Sequence, residues 1–251
     1  MAKKKARARA RAAAPARASV SLPRISSGVK GLDKLVQGGF EQGSLVLVSG
    51  GTGTGKTIFG LQFLYDGAKL GEPGIYITFE ENPDDLKRDA RVLGMDLESF
   101  EKKGRVVIKN YPPFAFDQFI NDLEKIIVQY KIKRMVVDSI SAFGIYSKNE
   151  YEIRKRIYSI SKLIKASKVT AIAISEVIGE ATTGVVGAAT FSRFGVEEFV
   201  ADALVMLHYA GLGGSYDRTL QVVKMRRTDH ARGLFPIKIA KNGIEVVGKQ
   251  E

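Results

Sequence analysis

Gly50-Gly51-Thr52-Gly53-Thr54-Gly55-Lys56-Thr57 follows the apolar run Leu45-Val46-Leu47-Val48 and leads into Ile58-Phe59-Gly60-Leu61-Gln62-Phe63-Leu64. That order predicts a buried strand turning sharply into a helix, the setting of a phosphate-binding loop, or P-loop. Glycines let several backbone N–H groups converge on one anion, and the positive end of the helix points at the same place. Lys56 is expected to reach the β- and γ-phosphates and the Thr57 hydroxyl to sit on Mg²⁺. Residues Gly50, Gly51, Thr52, Gly53, Thr54, Gly55, Lys56 and Thr57 are therefore read as a nucleoside triphosphate site.

The 251 residues suffice for one large α/β domain, or two small ones, with a sizeable core. No apolar run approaches the roughly 18 residues of a membrane helix, and the first residues lack a secretory signal's apolar region. A cytoplasmic protein with no membrane partner is expected. With no cysteine, disulfides, thiol catalysis and cysteine-based zinc sites are excluded, and His208 and His230 alone leave little material for a transition-metal centre. Mg²⁺ carried with the nucleotide is the metal expected. Of the net charge of +12, Lys3, Lys4, Lys5, Arg7, Arg9, Arg11 and Arg17 supply +7, with no acid among residues 1–18. Such an alanine-rich, like-charged segment cannot bury enough to fold, so residues 1–21 are read as a disordered basic tail and 22–251 as the folded domain. The tail is either a phosphate-tracking arm for nucleic acid or another acidic surface, or a solvated tail with no fixed partner.

Along the domain, Gly28–Leu35 reads as a short helix before the Gly38-Gly39 turn, and Ile75–Phe79 as a strand ending at Glu80-Glu81. Pro83 to Leu93 has a helix start, with Asn82 as N-cap and acids in the first turn. Strands follow at Arg105–Lys109, Arg134–Asp138 and Val169–Ile174, separated by helices over Phe116–Tyr130 and Glu150–Ala166. This alternation predicts a mostly parallel sheet covered on both faces, with ligands at the strands' carboxyl ends. From Ala203 onward, short strands between glycine-rich turns predict an antiparallel extension of that sheet.

Asp138 ends the apolar run Met135-Val136-Val137, as an acid that holds Mg²⁺ through water would. Glu80 and Glu81 end a strand expected beside the P-loop strand, so that one carboxylate could activate water at the γ-phosphate. The lesser alternative is an exposed acidic turn that merely caps the Pro83 helix.

These pieces occur together with Ser27-Gly28-Val29-Lys30-Gly31-Leu32-Asp33, Gly38-Gly39-Phe40, Phe79-Glu80-Glu81-Asn82, Asp138-Ser139, Ser175-Glu176, Gly195 to Asp202 and Lys224-Met225-Arg226-Arg227-Thr228-Asp229-His230. In that order they resemble a single KaiC domain of the RecA superfamily, over nearly everything but the tail. The resemblance implies a RecA-like P-loop ATPase using ATP and Mg²⁺, and a homo-oligomer, a hexameric ring favoured, with ATP between neighbouring subunits. It further implies that Lys224 and Arg226 act as cationic fingers on the neighbour's γ-phosphate and that His230 lies near the nucleotide's base or sugar. His208, inside an apolar strand, is read as structural.

One such domain, where the circadian-clock protein has two, does not imply an oscillator. Glu198-Phe199 stands where that protein's kinase half has its phosphorylated Ser-Thr pair, which disfavours autokinase activity. Two functions follow. The first is a slow ATPase whose nucleotide state sets its assembly and its surface for an unknown protein partner, a regulatory module. The second is a recombinase paralogue, similar to single-domain archaeal relatives of RadA, binding single-stranded DNA through the tail and the loop Gly179 to Phe194 to assist repair. The absence of Cys and Trp and the many Lys and Arg would fit an archaeon of hot environments.

Overall fold

The computed structural model describes residues 22–147, 149–177, 191–211, 213–214 and 217–247. The basic tail and most of the Gly179–Phe194 loop lie outside the described residues.

Before the P-loop, β1 (Arg24–Ile25) pairs antiparallel with β2 (Phe40–Glu41), and α1 (Leu32–Leu35) lies between them. The helix expected over Gly28–Leu35 is confined to its second half because Gly28 and Gly31 sit at φ +75° and +88°, outside the helical range. β3 (Leu45–Gly50) and α2 (Lys56–Leu70) flank the P-loop as expected. Next come β4 (Gly74–Thr78), α3 (Pro83–Val92), α4 (Leu97–Lys102), β5 (Val106–Asn110), α5 (Phe116–Tyr130) and β6 (Arg134–Asp138). A 3₁₀ segment (Ile140–Tyr146) leads to α6 (Glu150–Ser167), β7 (Thr170–Glu176), α7 (Glu197–Val200) and β8 (Ala203–Tyr209). β9 (Arg218–Met225), β10 (Phe235–Ala240) and β11 (Gly243–Val246) follow. The start of α3 matches its sequence signal: Pro83 opens the helix and the Asn82 side chain accepts from the Asp84 N–H at 2.9 Å.

Nine strands form one sheet in the order β11-β10-β9-β8-β3-β7-β6-β4-β5. This corrects two expectations. The Glu80 strand is not beside the P-loop strand, since β7 and β6 lie between β3 and β4. The antiparallel extension begins only at β9, because the chain returns through α7 to the amino end of the sheet and β8 then runs parallel to β3. Short-strand spacing carries no direction; the crossover does.

Side chains alternate across the sheet, so one strand feeds two cores. Val46 and Val48 join Phe59, Phe63, Val136 and Ile172 on the α2 side, whereas Leu45 and Leu47 join Phe119, Val137, Ile157 and Ala171 on the other. α2 is buried around most of its circumference, and Gly67 leaves room for Arg134. The Arg134 guanidinium, fully buried, stacks on Phe63 at 4.8 Å and donates to Glu72 at 2.7 Å, the Phe63 carbonyl at 2.9 Å and the Ser26 carbonyl at 3.0 Å. It ties α2 to the amino ends of the strands.

Candidate functional site

At the carboxyl end of β3 the chain turns back on itself. A Cβ on Gly50 would stand 2.4 Å from the Leu207 carbonyl oxygen, so only glycine fits there. Gly53 and Gly55 lie at φ +74° and +101°, a conformation that other residues rarely adopt. The first turn of α2 carries no acid, and its N-cap, Gly55, provides no side-chain hydrogen bond, which leaves the N–H groups there suited to an anion. Inside the loop, Lys56 Nζ donates to the Gly51 carbonyl at 2.7 Å and Thr54 Oγ1 to the same carbonyl at 2.9 Å. The backbone cradle and the ammonium fit a polyphosphate.

The carboxyl ends of β6, β4 and β7 bring acids to the cradle. Thr57 Oγ1 donates to Asp138 Oδ2 at 3.0 Å, and the Tyr76 hydroxyl donates to the same oxygen at 2.6 Å. Burial holds the Asp138 carboxyl above its ordinary range, and Glu176 adds to this, while the two hydroxyl donors and Lys56 act the other way. Among the described residues no group of three acids or histidines could hold a metal unaided. A Thr hydroxyl and one carboxylate fit Mg²⁺ held chiefly by nucleotide phosphates.

Glu80 and Glu81 are held by Thr78, whose Oγ1 accepts from the Glu81 N–H at 2.8 Å and the Glu80 N–H at 3.3 Å and donates to the Glu81 carbonyl at 3.1 Å. Both carboxyls bind protons more readily than usual, and partial desolvation is the main cause for each. Their other neighbours differ. Glu80 feels Glu176 and Asp138, with Arg193 opposing, whereas Glu81 feels Asp138 and then Asp89, Glu80 and Asp85. Glu80 thus belongs electrostatically to the cradle side, and Glu81 is shared with the acids of α3.

The remaining sequence-predicted residues lie elsewhere. Lys224 pairs with Leu204 near the start of β8, while Gly50 lies beside Leu207 farther along the same strand. Lys224 Nζ donates to the carbonyls of Glu198 at 2.9 Å and Ala201 at 2.8 Å, and burial together with Arg226 makes its ammonium easier to deprotonate. Arg226 reaches Asp202 at 3.3 Å, and His230 Nδ1 lies 3.1 Å from the Ala231 carbonyl. Lys224 and Arg226 thus lie at the amino end of β8, away from their own P-loop.

Sequence reasoning missed Tyr76 and Ser141, and read Arg193 only as the one basic residue of the Gly179–Phe194 loop. Ser141 Oγ accepts from the Glu176 N–H at 2.9 Å, and Arg193 pairs with the Glu176 carboxylate at 3.3 Å. Tyr76 left one trace, a hydroxyl in an otherwise aliphatic strand two residues before Thr78.

Comparison with known proteins gives the family and the fold. Residues 25–251 match the family model described as "ATPase: KaiC". The chain is 33% identical to the circadian clock oscillator protein KaiC of Parathermosynechococcus lividus, over 90% of this chain and 42% of that protein. With the KaiC of Thermosynechococcus vestitus the identity is 34%, over 92% of this chain and 45% of the other. The chain thus spans less than half the length of these relatives. A crystal structure of a KaiC-like protein from the hyperthermophilic archaeon Pyrococcus horikoshii superposes with a TM-score of 0.80 at 35% identity, covering 91% of this chain and 100% of that one. No helix among the described residues is long and apolar enough to cross a membrane. With its RecA-like fold and P-loop, the chain belongs to the KaiC ATPase family.

Proposed function

We propose that this protein binds ATP with Mg²⁺ and hydrolyses it slowly in a homo-oligomer, a six-membered ring favoured, whose nucleotide state regulates a protein partner. The observation that carries this reading is the division of the site residues between two ends of one sheet. The phosphate cradle, Asp138 and Glu80 meet at one end, and the Lys224 and Arg226 cations lie at the other.

In this reading the N–H groups of Gly51 to Lys56 and the Lys56 ammonium bind the phosphates, and Thr57 and Asp138 hold Mg²⁺. The metal, when bound, neutralises charge on the phosphate oxygens. Glu80 takes the proton of the attacking water, a role helped by a carboxyl whose proton affinity is raised toward working pH. Glu81 supports the field around it. Lys224 and Arg226 of one copy approach the γ-phosphate held by the next, and His230 approaches the base or sugar, so catalysis rests on positioning and electrostatics at a shared interface.

The single-stranded DNA reading has less support. Arg193 is paired with Glu176, and the Phe194 ring fills the space over Gly144, where an added Cβ would stand 1.9 Å from it. Light scattering coupled to size exclusion, with and without ATP·Mg²⁺, tests the assembly, and a dilution series of ATPase activity tests the shared site. Assembly on ATP and specific activity that falls on dilution are expected. Flat activity on dilution would remove Lys224 and Arg226 as fingers, and a monomer that joins an oligonucleotide would favour the repair reading.

A further inference from the structure

Tyr76 is fully buried on the α2 side of β4, yet its hydroxyl ends 2.6 Å from Asp138 Oδ2. Its ring occupies a slot made by a missing side chain. A Cβ on Gly60 of α2 would stand 3.3 Å from Tyr76 Cε2 and 2.8 Å from Val136 Cγ1. Glycine at position 60 thus leaves the room that the ring uses beside α2, and the hydroxyl reaches the carboxylate that ends β6 from the core side.

Asp138 Oδ2 accepts from two hydroxyls, those of Tyr76 and Thr57. The two donors are not equivalent. Thr57 opens the P-loop helix, and its oxygen is the group that would also ligate Mg²⁺. Tyr76 stands on β4, outside the P-loop, and although its hydroxyl also neighbours Thr57, its donor bond goes to Asp138 from the core side. An outer partner that fixes the rotation of a metal-side carboxylate commonly changes metal affinity by about 10–100-fold when removed.

We propose that Tyr76 is a positioning residue for Mg²⁺, locking the Asp138 carboxylate from the core side so that the metal meets a preset oxygen. The inference rests on the nucleotide reading above and adds a residue to it. Tyr76→Phe keeps the ring and removes the lock. The test titrates Mg²⁺ into protein with a fluorescent N-methylanthraniloyl ATP, measures the affinity of the same nucleotide in EDTA, and follows thermal unfolding.

The half-saturating Mg²⁺ concentration is expected to rise about 10-fold in Tyr76→Phe, the low end of that range, with metal-free affinity unchanged. In an Asp138→Asn background, Tyr76→Phe should add no further shift. Unchanged Mg²⁺ dependence, equal losses with and without Mg²⁺, or an additive shift in the Asn background would overturn the proposal. So would a Tyr76→Phe variant that fails to fold, since the hydroxyl would then serve the core. If the unaltered protein shows no Mg²⁺-dependent nucleotide binding, the nucleotide reading itself falls.

Discussion

The two ends of the central sheet treat their charged groups in opposite ways. At the carboxyl end, Glu80, Glu81, Asp138 and Glu176 crowd around the P-loop, and three of these carboxyls bind protons more readily than usual. At the amino end of β8, Lys224 is satisfied by two backbone carbonyls within 2.9 Å, and Arg226 is paired with Asp202. One end holds unfavourable charge that a cationic ligand or metal would relieve. At the other, burial and Arg226 also disfavour the Lys224 ammonium, but its donors are met within its own chain. The difference teaches why the proposed function divides the work: the first end fits a nucleotide's phosphates within one copy, whereas the second would gain a catalytic role if another copy presented an anion to it.

The sharpest way to break this comparison is Arg226→Ala. If the cation works across an interface, turnover by the assembled protein should fall about 10³-fold, as for other trans-acting arginines. Stability should change by less than about 1 kcal/mol, because Arg226 is partly exposed and the buried Asp202 keeps Lys165 and the Leu45 N–H as partners. Steady-state ATPase assays and denaturant melts separate the two, and a stability loss with intact turnover would assign the residue to the fold.

Next in size is Glu80→Gln, expected to lower turnover about 10²-fold or more while leaving nucleotide affinity intact. Glu81→Gln should fall well short of that, since its carboxylate is shared with the acids of α3. Equal effects in single-turnover assays would erase the distinction drawn between them.

A buried charge at the amino end gives a control with no catalytic role. Arg134→Ala would strand Glu72 and open a cavity beside Gly67, costing about 3–5 kcal/mol in urea unfolding. A loss below about 1 kcal/mol would mean that water replaces the guanidinium at little cost.

The smallest expected effect concerns pH. Glu80 ionises at higher pH folded than unfolded, so its contribution to stability is fully present below the unfolded value near 4 and is lost as pH rises through the folded value. Glu80→Gln should therefore raise the melting midpoint slightly at pH 7, an effect kept small by the exposure of Glu80, and leave it unchanged near pH 4. A gain of equal size at both pH values would exclude charge as the cause.

What could be read in the sequence was local. Asn82-Pro83 announces a helix start because a capping side chain and a fixed φ act within one turn. Asp138 was legible because a strand followed by an acid is a run of adjacent residues. The separation of β3 from β4, and the parallel course of β8, were not legible, since both depend on where a distant crossover returns. Tyr76 escaped for the same reason: its partner lies 62 positions away along the chain.

The sequence by itself determined the turn of the P-loop, since the glycines that permit positive φ at 53 and 55 are neighbours, while the close approach of Gly50 to Leu207 waits on β8. It also determined the two-faced sheet, because alternation along Leu45–Val48 sends neighbouring side chains to opposite cores. Only the tertiary structure decided which acids share the cradle, which hydroxyl holds Asp138, and that Lys224 and Arg226 lie at the amino end of β8, away from their own P-loop. Those facts follow from strand order and direction, which arise when remote segments compete for the same sheet, and no local pattern encodes the outcome.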